Sequence, residues 1–176
     1  GLGISAARPS PLMAGLDLDI AAINAPELCI ASGPLDAVAA LERRLADGGL
    51  QGRRLRINVA AHSRLLDAIL PPFRERLGRV RFNTPTIPFI SNLTGTWAEA
   101  AMLTDPDYWA RHLREPVRFA DGFQALSSLP PETVFIEAGP GQGLCALARQ
   151  NSRGQARPLL ASTGKPQEPH ADLALM

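Results

Sequence analysis

The chain has 176 residues, of which 45% are hydrophobic and 20% are charged, and its formal net charge is +1. This composition is typical of a globular domain that buries a core, and it excludes an intrinsically disordered chain. The small net charge argues against a chain whose whole surface binds nucleic acid. The sequence shows neither an apolar run of about 18 residues nor a secretory leader pattern, so we expect a cytoplasmic protein.

Arginines cluster between residues 42 and 81, where ten of them stand against four acidic residues. Solvated helix faces are the simplest explanation, and a surface for an acidic or phosphorylated partner is the alternative. Cys29 and Cys145 have no CxxC or Cys/His spacing, so each is expected to be a buried structural thiol. The sequence starts at Gly1 rather than at a methionine, which suggests a piece of a longer protein.

The first 59 residues follow the order βαββαβ. Strands are expected at 2–6, 16–23, 28–31 and 54–59, and helices at 10–14 and 35–46. The two middle strands flank a turn at Asn24-Ala25-Pro26, and apolar residues recur at helical spacing from Leu35 to Leu45 before Gly48-Gly49. This order is the ferredoxin-like pattern.

From residue 60 the pattern changes to longer helices separated by isolated strands. Helices are expected at 64–77, with a break near Pro71-Pro72, and at 108–113, 119–129 and 144–149, and strands at 87–92, 133–137 and 159–160. Such alternation is typical of a parallel α/β sheet. Residues 60–161 are therefore assigned to a second subdomain, and residues 162–176, which are rich in glycine and proline, to a linker.

One histidine stands where the last strand of the first half gives way to a helix. His62 follows that strand, and Ser63 is a natural N-cap for the next helix. The positive end of the helix disfavours the imidazolium and leaves a neutral base that could activate a nucleophile. A packed histidine with only a structural role is the alternative. His112 is expected on a helix surface and His170 in the linker.

Two further features bear on chemistry. The sequence contains no G-x-S-x-G elbow, the usual setting of a serine nucleophile at a strand-to-helix turn. The glycine-rich stretch from Gly139 to Gly143 lies between a strand and a helix, as a phosphate-binding turn does. Its spacing misses the third glycine of G-x-G-x-x-G, and Pro140 removes an N–H donor. A structural turn is therefore favoured, with a nucleotide site as the alternative.

Several motifs occur in one order along nearly the whole chain. They are Asn24-Ala25-Pro26 before Ser32-Gly33, Val59-Ala60-Ala61-His62-Ser63, Pro88 to Gly95, Asp107-Tyr108-Trp109, Arg111 to Phe119, and Phe135 to Pro140. In this order they resemble the second half of the acyltransferase domain of a modular (type I) polyketide synthase, in the malonyl-CoA:acyl carrier protein transacylase family. The resemblance covers about residues 1–165.

The resemblance implies an α/β fold, with a ferredoxin-like small subdomain at 1–59 and the C-terminal part of an α/β-hydrolase-like large subdomain at 60–161. It also implies that a malonyl-type unit passes from coenzyme A to a serine, and then to the phosphopantetheine thiol of an acyl carrier protein. His62 matches the catalytic histidine, and a backbone carbonyl near Arg118 would hold its tautomer. Asn24 is assigned to the substrate pocket. We expect the chain itself to bind no cofactor and no metal.

The sequence also departs from the family pattern. The family's nucleophilic serine, oxyanion-hole glutamine and malonyl-binding arginine have no counterpart here, so we expect the chain alone to be inactive. Its partners would be an acyl-coenzyme A, an acyl carrier protein, the missing N-terminal half of the domain and adjacent synthase domains. A non-catalytic interaction module is the alternative. Carrier binding that survives His62→Ala but is lost on charge reversal at Arg53 or Arg54 would favour it.

The specificity signature of the family ends at the catalytic histidine. It is typically His-Ala-Phe-His for malonyl and Tyr-Ala-Ser-His for methylmalonyl units, whereas this chain has Val59, Ala60 and Ala61 before His62. Ala61 lacks the bulk that would exclude an α-methyl group, and Val59 lacks the tyrosine, so the two signals conflict. The frequency of malonyl as an extender unit favours malonyl.

Overall fold

The computed structural model describes residues 1–5, 10–55, 57, 59–152 and 157–163 of the chain. Contacts divide the chain into two compact units, Gly1–Ala125 and Leu126–Met176. The subdomain limits at residues 59 and 161 stay predictions, and most of the proposed linker lies outside the described residues. In the ranges given above, no helix is both long enough and apolar enough to cross a membrane.

The first unit begins with a four-stranded antiparallel sheet. Its elements in chain order are β1 (Leu2–Ser5), α1 (Ser10–Met13), β2 (Asp19–Ala25), β3 (Leu28–Ser32), α2 (Leu35–Asp47) and β4 (Gly52–Arg54). The strand order across the sheet is β2-β3-β1-β4, and every neighbouring pair is antiparallel. This connectivity confirms the predicted ferredoxin-like βαββαβ arrangement.

One hydrophobic core joins this sheet to its helices. Leu2 and Ile4 alternate along the central strand β1, and both are fully buried. Val38, Leu41 and Leu45 lie on one face of α2 and belong to the same buried cluster. The helical spacing read from the sequence therefore identifies the face of α2 that packs on the sheet.

The rest of the first unit is mostly helical. It contains a 3₁₀ helix (Arg64–Ile69), α3 (Leu70–Leu77), β5 (Ile90–Ser91), β6 (Thr96–Trp97), α4 (Ala100–Leu103), α5 (Pro106–Arg114) and α6 (Phe119–Ala125). A second, smaller core is formed by Leu93, Leu103 and Tyr108. The Tyr108 hydroxyl lies 2.8 Å from the Ser91 hydroxyl, so the polar end of this buried ring has a partner.

The segment between α5 and α6 is held against the ferredoxin-like sheet. Val117 forms a parallel bridge with Ala22 on β2. The Ile23 N–H donates to the Val117 carbonyl at 2.8 Å, and the Val117 N–H donates to the Ala21 carbonyl at 2.9 Å. Because β2 is an edge strand, these bonds use backbone groups that the sheet leaves unpaired. They fix the chain two residues after Glu115.

The last strand of the sheet is shorter than predicted. Instead of 54–59, β4 covers Gly52–Arg54 and pairs with β1 from Ile4 to Leu2. The Leu55 N–H donates to the carbonyl of Gly1, the first residue of the sequence, at 2.9 Å. Ile57 and Val59 are not assigned to a strand, and residues 56 and 58 lie outside the described residues.

The helical stretch predicted at 64–77, with a break near Pro71-Pro72, consists of two elements, the 3₁₀ helix and α3. Pro71 and Pro72 fall in the first turn of α3. Proline has no N–H to give to the helical hydrogen-bond pattern, but the first turn of a helix does not need it. The proline pair therefore starts a new helix instead of interrupting a long one.

The second unit contains two parallel strands and a helix. After a 3₁₀ turn (Leu126–Ser128) come β7 (Phe135–Glu137), α7 (Gly143–Asn151) and β8 (Leu159–Ala161), and β7 pairs with β8 in parallel. Gly139 and Gly141 have φ of 146° and 92°, values that side chains other than glycine rarely adopt. The glycine-rich stretch is thus a tight turn that the backbone requires.

A carboxylate already occupies the start of α7. Glu137 accepts hydrogen bonds from the backbone N–H groups of Leu144 at 3.0 Å and Cys145 at 2.8 Å. A phosphate held by this turn would need the same N–H groups and would meet the negative charge of Glu137. The nucleotide alternative is therefore not supported.

The core placement gives a stability prediction. Leu41 is fully buried, whereas Leu35 on the same helix is 78% exposed. We expect Leu41→Ala to lower the free energy of unfolding by about 2–5 kcal/mol because it leaves a cavity. The matched control Leu35→Ala is expected to change it by less than about 0.5 kcal/mol. Urea unfolding followed by circular dichroism measures both, and equal losses would contradict this core.

Candidate active site

His62 occupies an unusual backbone conformation. Its φ is +55°, and it is the one non-glycine residue with positive φ in the described part of the chain. The left-handed region is costly for a side-chain-bearing residue, and it persists where the surrounding structure imposes it. Residues in such conformations are concentrated at functional sites. The backbone therefore marks the same histidine that the sequence selected.

Ser63 fixes the chain immediately after His62. Its side chain is fully buried and donates a hydrogen bond to the Ala60 carbonyl at 2.7 Å. The same oxygen accepts the Leu65 N–H at 3.4 Å, so Ser63 caps the 3₁₀ helix as predicted. One hydroxyl thus closes the turn on both sides of the histidine.

The imidazole of His62 contacts a backbone carbonyl from a distant part of the chain. His62 Nδ1 lies 2.8 Å from the carbonyl oxygen of Glu115. A carbonyl only accepts hydrogen bonds, so Nδ1 carries the proton. In the neutral ring Nε2 is then the unprotonated nitrogen, with a lone pair that can accept a proton from a nucleophile.

The carbonyl is that of Glu115, three residues before Arg118, near which the sequence placed it. Glu115 is the C-cap of α5, with φ −81° and ψ 160°. The following Pro116 disfavours helical backbone at Glu115, so α5 ends there and the carbonyl is released from the helix. The Arg118 guanidinium instead pairs with Asp121 at 2.7 Å.

His112 is a close neighbour of His62 that the sequence prediction missed. It was expected on the surface of its helix, but it is half-buried, and its ring centroid lies 6.5 Å from that of His62. Burial first, and the nearby His62 second, lower the pKa of His112. The spacing of four residues from the buried Tyr108 was the signal that places His112 on the inner face of α5.

Charged residues close in sequence to His62 and Glu115 form ion pairs with one another and with Asp19. The Asp19 carboxylate accepts the Arg64 backbone N–H at 2.6 Å and pairs with the Arg64 guanidinium at 2.9 Å. Arg114 pairs with Asp67 and also lies 3.8 Å from Asp19. The side-chain hydrogen bond from Arg64 is the main cause that lowers the pKa of Asp19. The carboxylate is therefore ionised at neutral pH.

An apolar cleft of about 260 Å³ lies beside His62. The predicted residues Asn24, Val59, Ala61 and His62 all line it, together with Val117. Ala60 is not among the lining residues; its carbonyl is engaged by Ser63. The structure thus brings most of the predicted site residues to one surface.

Neither cysteine is suited to act as a nucleophile. Cys29 and Cys145 are free and buried, as the sequence predicted, and burial raises the pKa of both thiols. A raised pKa leaves little thiolate at neutral pH. No group of three or more His, Cys, Asp or Glu side chains within the described residues could hold a metal ion.

Comparisons with known sequences agree with one another. Residues 12–172 match a family model described as an acyl transferase domain. The chain is 34% identical over 137 residues to a phenolphthiocerol/phthiocerol polyketide synthase of Mycobacterium tuberculosis. It is 38% identical over 160 residues to the phenolphthiocerol synthesis polyketide synthase type I Pks15/1 of Mycobacterium bovis. These alignments cover 78% and 88% of this chain, but 9% and 7% of those proteins.

Solved structures show the same likeness. The acyltransferase domain of SpnD, in complex with 2-(pent-4-yn-1-yl)malonyl, matches with a TM-score of 0.92 and 37% identity. The acyltransferase domain from the second module of the salinomycin polyketide synthase matches with a TM-score of 0.85 and 35% identity. Both matches cover 99% of this chain and 43% and 41% of those chains. The chain therefore spans less than half the length of the solved domains.

The proximity of the two histidines gives a titration prediction. Since the neighbouring His62 contributes to the low pKa of His112, His62→Gln is expected to raise the pKa of His112. That pKa should stay below the value of an exposed histidine because burial remains. An NMR titration of the imidazole C–H resonances measures it, with Glu75→Gln as a control at an exposed site. An unchanged His112 pKa in His62→Gln would refute the coupling.

Proposed function

The chain belongs to the acyl transferase domain family of polyketide synthases, and we propose that it contributes the histidine half of an acyl-transfer site. The observation that carries this proposal is the 2.8 Å contact between His62 Nδ1 and the Glu115 carbonyl. It fixes the ring orientation and leaves Nε2 as the proton acceptor in the neutral ring. A nucleophile hydrogen-bonded to Nε2 would be activated by general base catalysis.

In the proposed reaction His62 takes up and returns one proton in each half of the acyl transfer. It takes the proton of a serine hydroxyl as the serine oxygen attacks the thioester carbonyl of an acyl-coenzyme A. It returns that proton to the departing coenzyme A thiol. In the second half it takes the proton of the carrier's phosphopantetheine thiol, whose sulfur attacks the acyl-serine, and then reprotonates the serine oxygen.

The serine is proposed to come from a part of the domain outside this sequence. None of the 176 residues forms a G-x-S-x-G elbow, and the chain covers 43% of the SpnD acyltransferase chain that it matches. The chain is therefore proposed to be inactive by itself. The oxyanion-hole donors and the group that binds the malonyl carboxylate would come from the same missing part.

A carbonyl partner has a defined chemical effect on His62. A carboxylate at Nδ1 would attract the imidazolium strongly, whereas the Glu115 carbonyl offers a dipole without a net charge. The imidazolium formed during transfer is therefore stabilised less, and its proton is returned more readily. This property suits a histidine that must give back its proton twice in one catalytic cycle.

The cleft beside His62 is proposed to hold the acyl group. Val59 and Ala61 are small residues on its wall, and Ala61 stands where the malonyl signature has phenylalanine. The SpnD domain, whose solved complex holds a pentynyl-substituted malonyl, supports a pocket of this kind. We propose that the chain accepts α-substituted malonyl units, although the frequency of malonyl favoured malonyl at the level of sequence.

The acceptor is proposed to be an acidic acyl carrier protein, with adjacent synthase domains as further partners. Exposed arginines that form no salt bridge within the described ranges include Arg43, Arg53, Arg76 and Arg81. Uncompensated positive charge attracts an acidic partner over several ångströms and raises its association rate.

Acyl transfer provides the main test. In a complete domain that contains this chain, His62→Ala is expected to lower kcat by at least about 10³-fold, because the general base is lost. The chain alone should form no acyl-protein from malonyl-coenzyme A. Mass spectrometry of the acylated domain and of the loaded carrier protein measures both steps.

Leu35→Ala, at an exposed position at the start of α2, is the matched control and should retain full transfer. If His62→Ala retains transfer, the catalytic role is wrong. Carrier binding by the chain that survives His62→Ala but is lost on charge reversal of Arg53 would instead support the interaction module.

The cleft gives a specificity prediction. In the complete domain, Ala61→Phe is expected to lower kcat/KM for methylmalonyl-coenzyme A relative to malonyl-coenzyme A by about tenfold or more, because the ring fills space for the α-substituent. Competition between the two thioesters measures the ratio. Leu35→Phe adds bulk at an exposed position and should leave the ratio unchanged. An unchanged ratio in Ala61→Phe would show that this wall does not contact the acyl group.

A further inference from the structure

We propose that Asp19 is a positioning residue for acyl transfer, because its carboxylate joins the segment that carries His62 to the segment that carries the Glu115 carbonyl. The inference rests on the proposed catalytic role of His62. Asp19 is the first residue of β2. The two segments are therefore attached to the ferredoxin-like sheet. The Asp19 carboxylate binds arginine and neither histidine. Asp19 therefore acts on His62 through the position of the chain and not through direct contact.

The first attachment is to the chain just after His62. Asp19 Oδ2 accepts the Arg64 backbone N–H at 2.6 Å and the Arg64 Nε–H at 3.2 Å. Asp19 Oδ1 accepts from Arg64 Nη2 at 2.9 Å. Asp17 adds a contact with the same guanidinium at 3.1 Å. The backbone bond is the important one, since it fixes the main chain two residues from the catalytic imidazole.

The second attachment is to the chain just before the carbonyl. Arg114 directly precedes Glu115, and its guanidinium lies 3.8 Å from Asp19 Oδ2. Arg114 also pairs with Asp67 in the 3₁₀ helix that follows His62. The two segments are therefore connected to each other as well as to Asp19. Such a network of bidentate and shared ion pairs restricts geometry more than an isolated surface pair does.

The same strand also holds the carbonyl from its other side. Val117, two residues after Glu115, is bonded to Ala21 and Ile23 on β2. Glu115 is thus bracketed by two attachments to β2, one through Arg114 and one through Val117. Its carbonyl can then meet His62 Nδ1 at a fixed position.

Burial shows which member of the network matters most. The Asp19 side chain is 18% exposed, compared with 51% for Arg64 and 58% for Asp67. A less exposed carboxylate is screened less by water and by salt. The low pKa of Asp19, caused mainly by Arg64, keeps this carboxylate charged. The left-handed backbone of His62 also needs such an external restraint to persist.

The test compares Asp19→Ala with a matched ion-pair variant. Glu42 forms a two-bonded pair with Arg54 in the same unit, and Glu42→Ala is the control. In the full chain, NMR of the histidine side chains follows exchange of the His62 Nδ1 proton with water. Asp19→Ala is expected to speed this exchange by about tenfold or more, since the hydrogen bond to Glu115 would open more often. Glu42→Ala should leave it unchanged.

Kinetics in the complete domain provide the second measurement. A misplaced base lowers the rate of chemistry and leaves thioester binding intact, so Asp19→Ala should lower kcat about tenfold to a hundredfold with KM within about twofold. Asp19→Asn keeps an oxygen for the Arg64 N–H and should restore part of the loss. A folded Asp19→Ala with unchanged Nδ1 exchange would overturn the positioning role.

The two proposals fail in different ways. If His62→Ala retains transfer, the proposed function is wrong, while the exchange rate of the Nδ1 proton still decides the role of Asp19. If Asp19→Ala does not fold, Arg64→Pro is the second variant, because it removes both the backbone N–H and the guanidinium that Asp19 accepts. Arg64 is the first residue of the 3₁₀ helix, where proline is tolerated. Unchanged Nδ1 exchange and unchanged kcat in a folded Arg64→Pro would then also overturn the proposal.

Discussion

The site depends on one hydrogen bond between residues that are 53 positions apart, from His62 Nδ1 to the Glu115 carbonyl. Neither His62 nor the Glu115 carbonyl is held in position by its own chain segment alone. His62 sits in a strained turn that Ser63 closes, and the Glu115 carbonyl is released by the end of α5 before Pro116. The bond forms because both segments are attached to the same sheet. The ferredoxin-like sheet therefore positions both partners of this hydrogen bond, in addition to forming its own hydrophobic core.

The charged side chains near the site pair with one another, whereas the His62 imidazole pairs with a backbone carbonyl. The ring of His62 meets a neutral carbonyl, while the carboxylates of Asp19 and Asp67 bind arginines that flank it. This separates two tasks that a triad carboxylate performs together. The ion-pair network restrains the geometry, and the Glu115 carbonyl sets the tautomer of the ring.

Residue types at fixed spacings were enough to predict the ferredoxin-like elements and the cap at Ser63. They also selected His62 as the candidate base, a role that stays a prediction. Glu115 could not be found this way because every residue has a carbonyl, and which one is free depends on where α5 ends. His112 was misplaced because its burial comes from contacts with other elements.

The sheet also shows how this chain limits unwanted association. A four-stranded antiparallel sheet has two open edges, each a template on which another molecule could add a strand. At one edge β4 has only three residues, two of which are exposed arginines. At the other, Val117 occupies backbone groups of β2. The residue that helps to place the Glu115 carbonyl thus also covers backbone groups of an edge strand, so loosening this segment is expected to cost solubility as well as the geometry at His62.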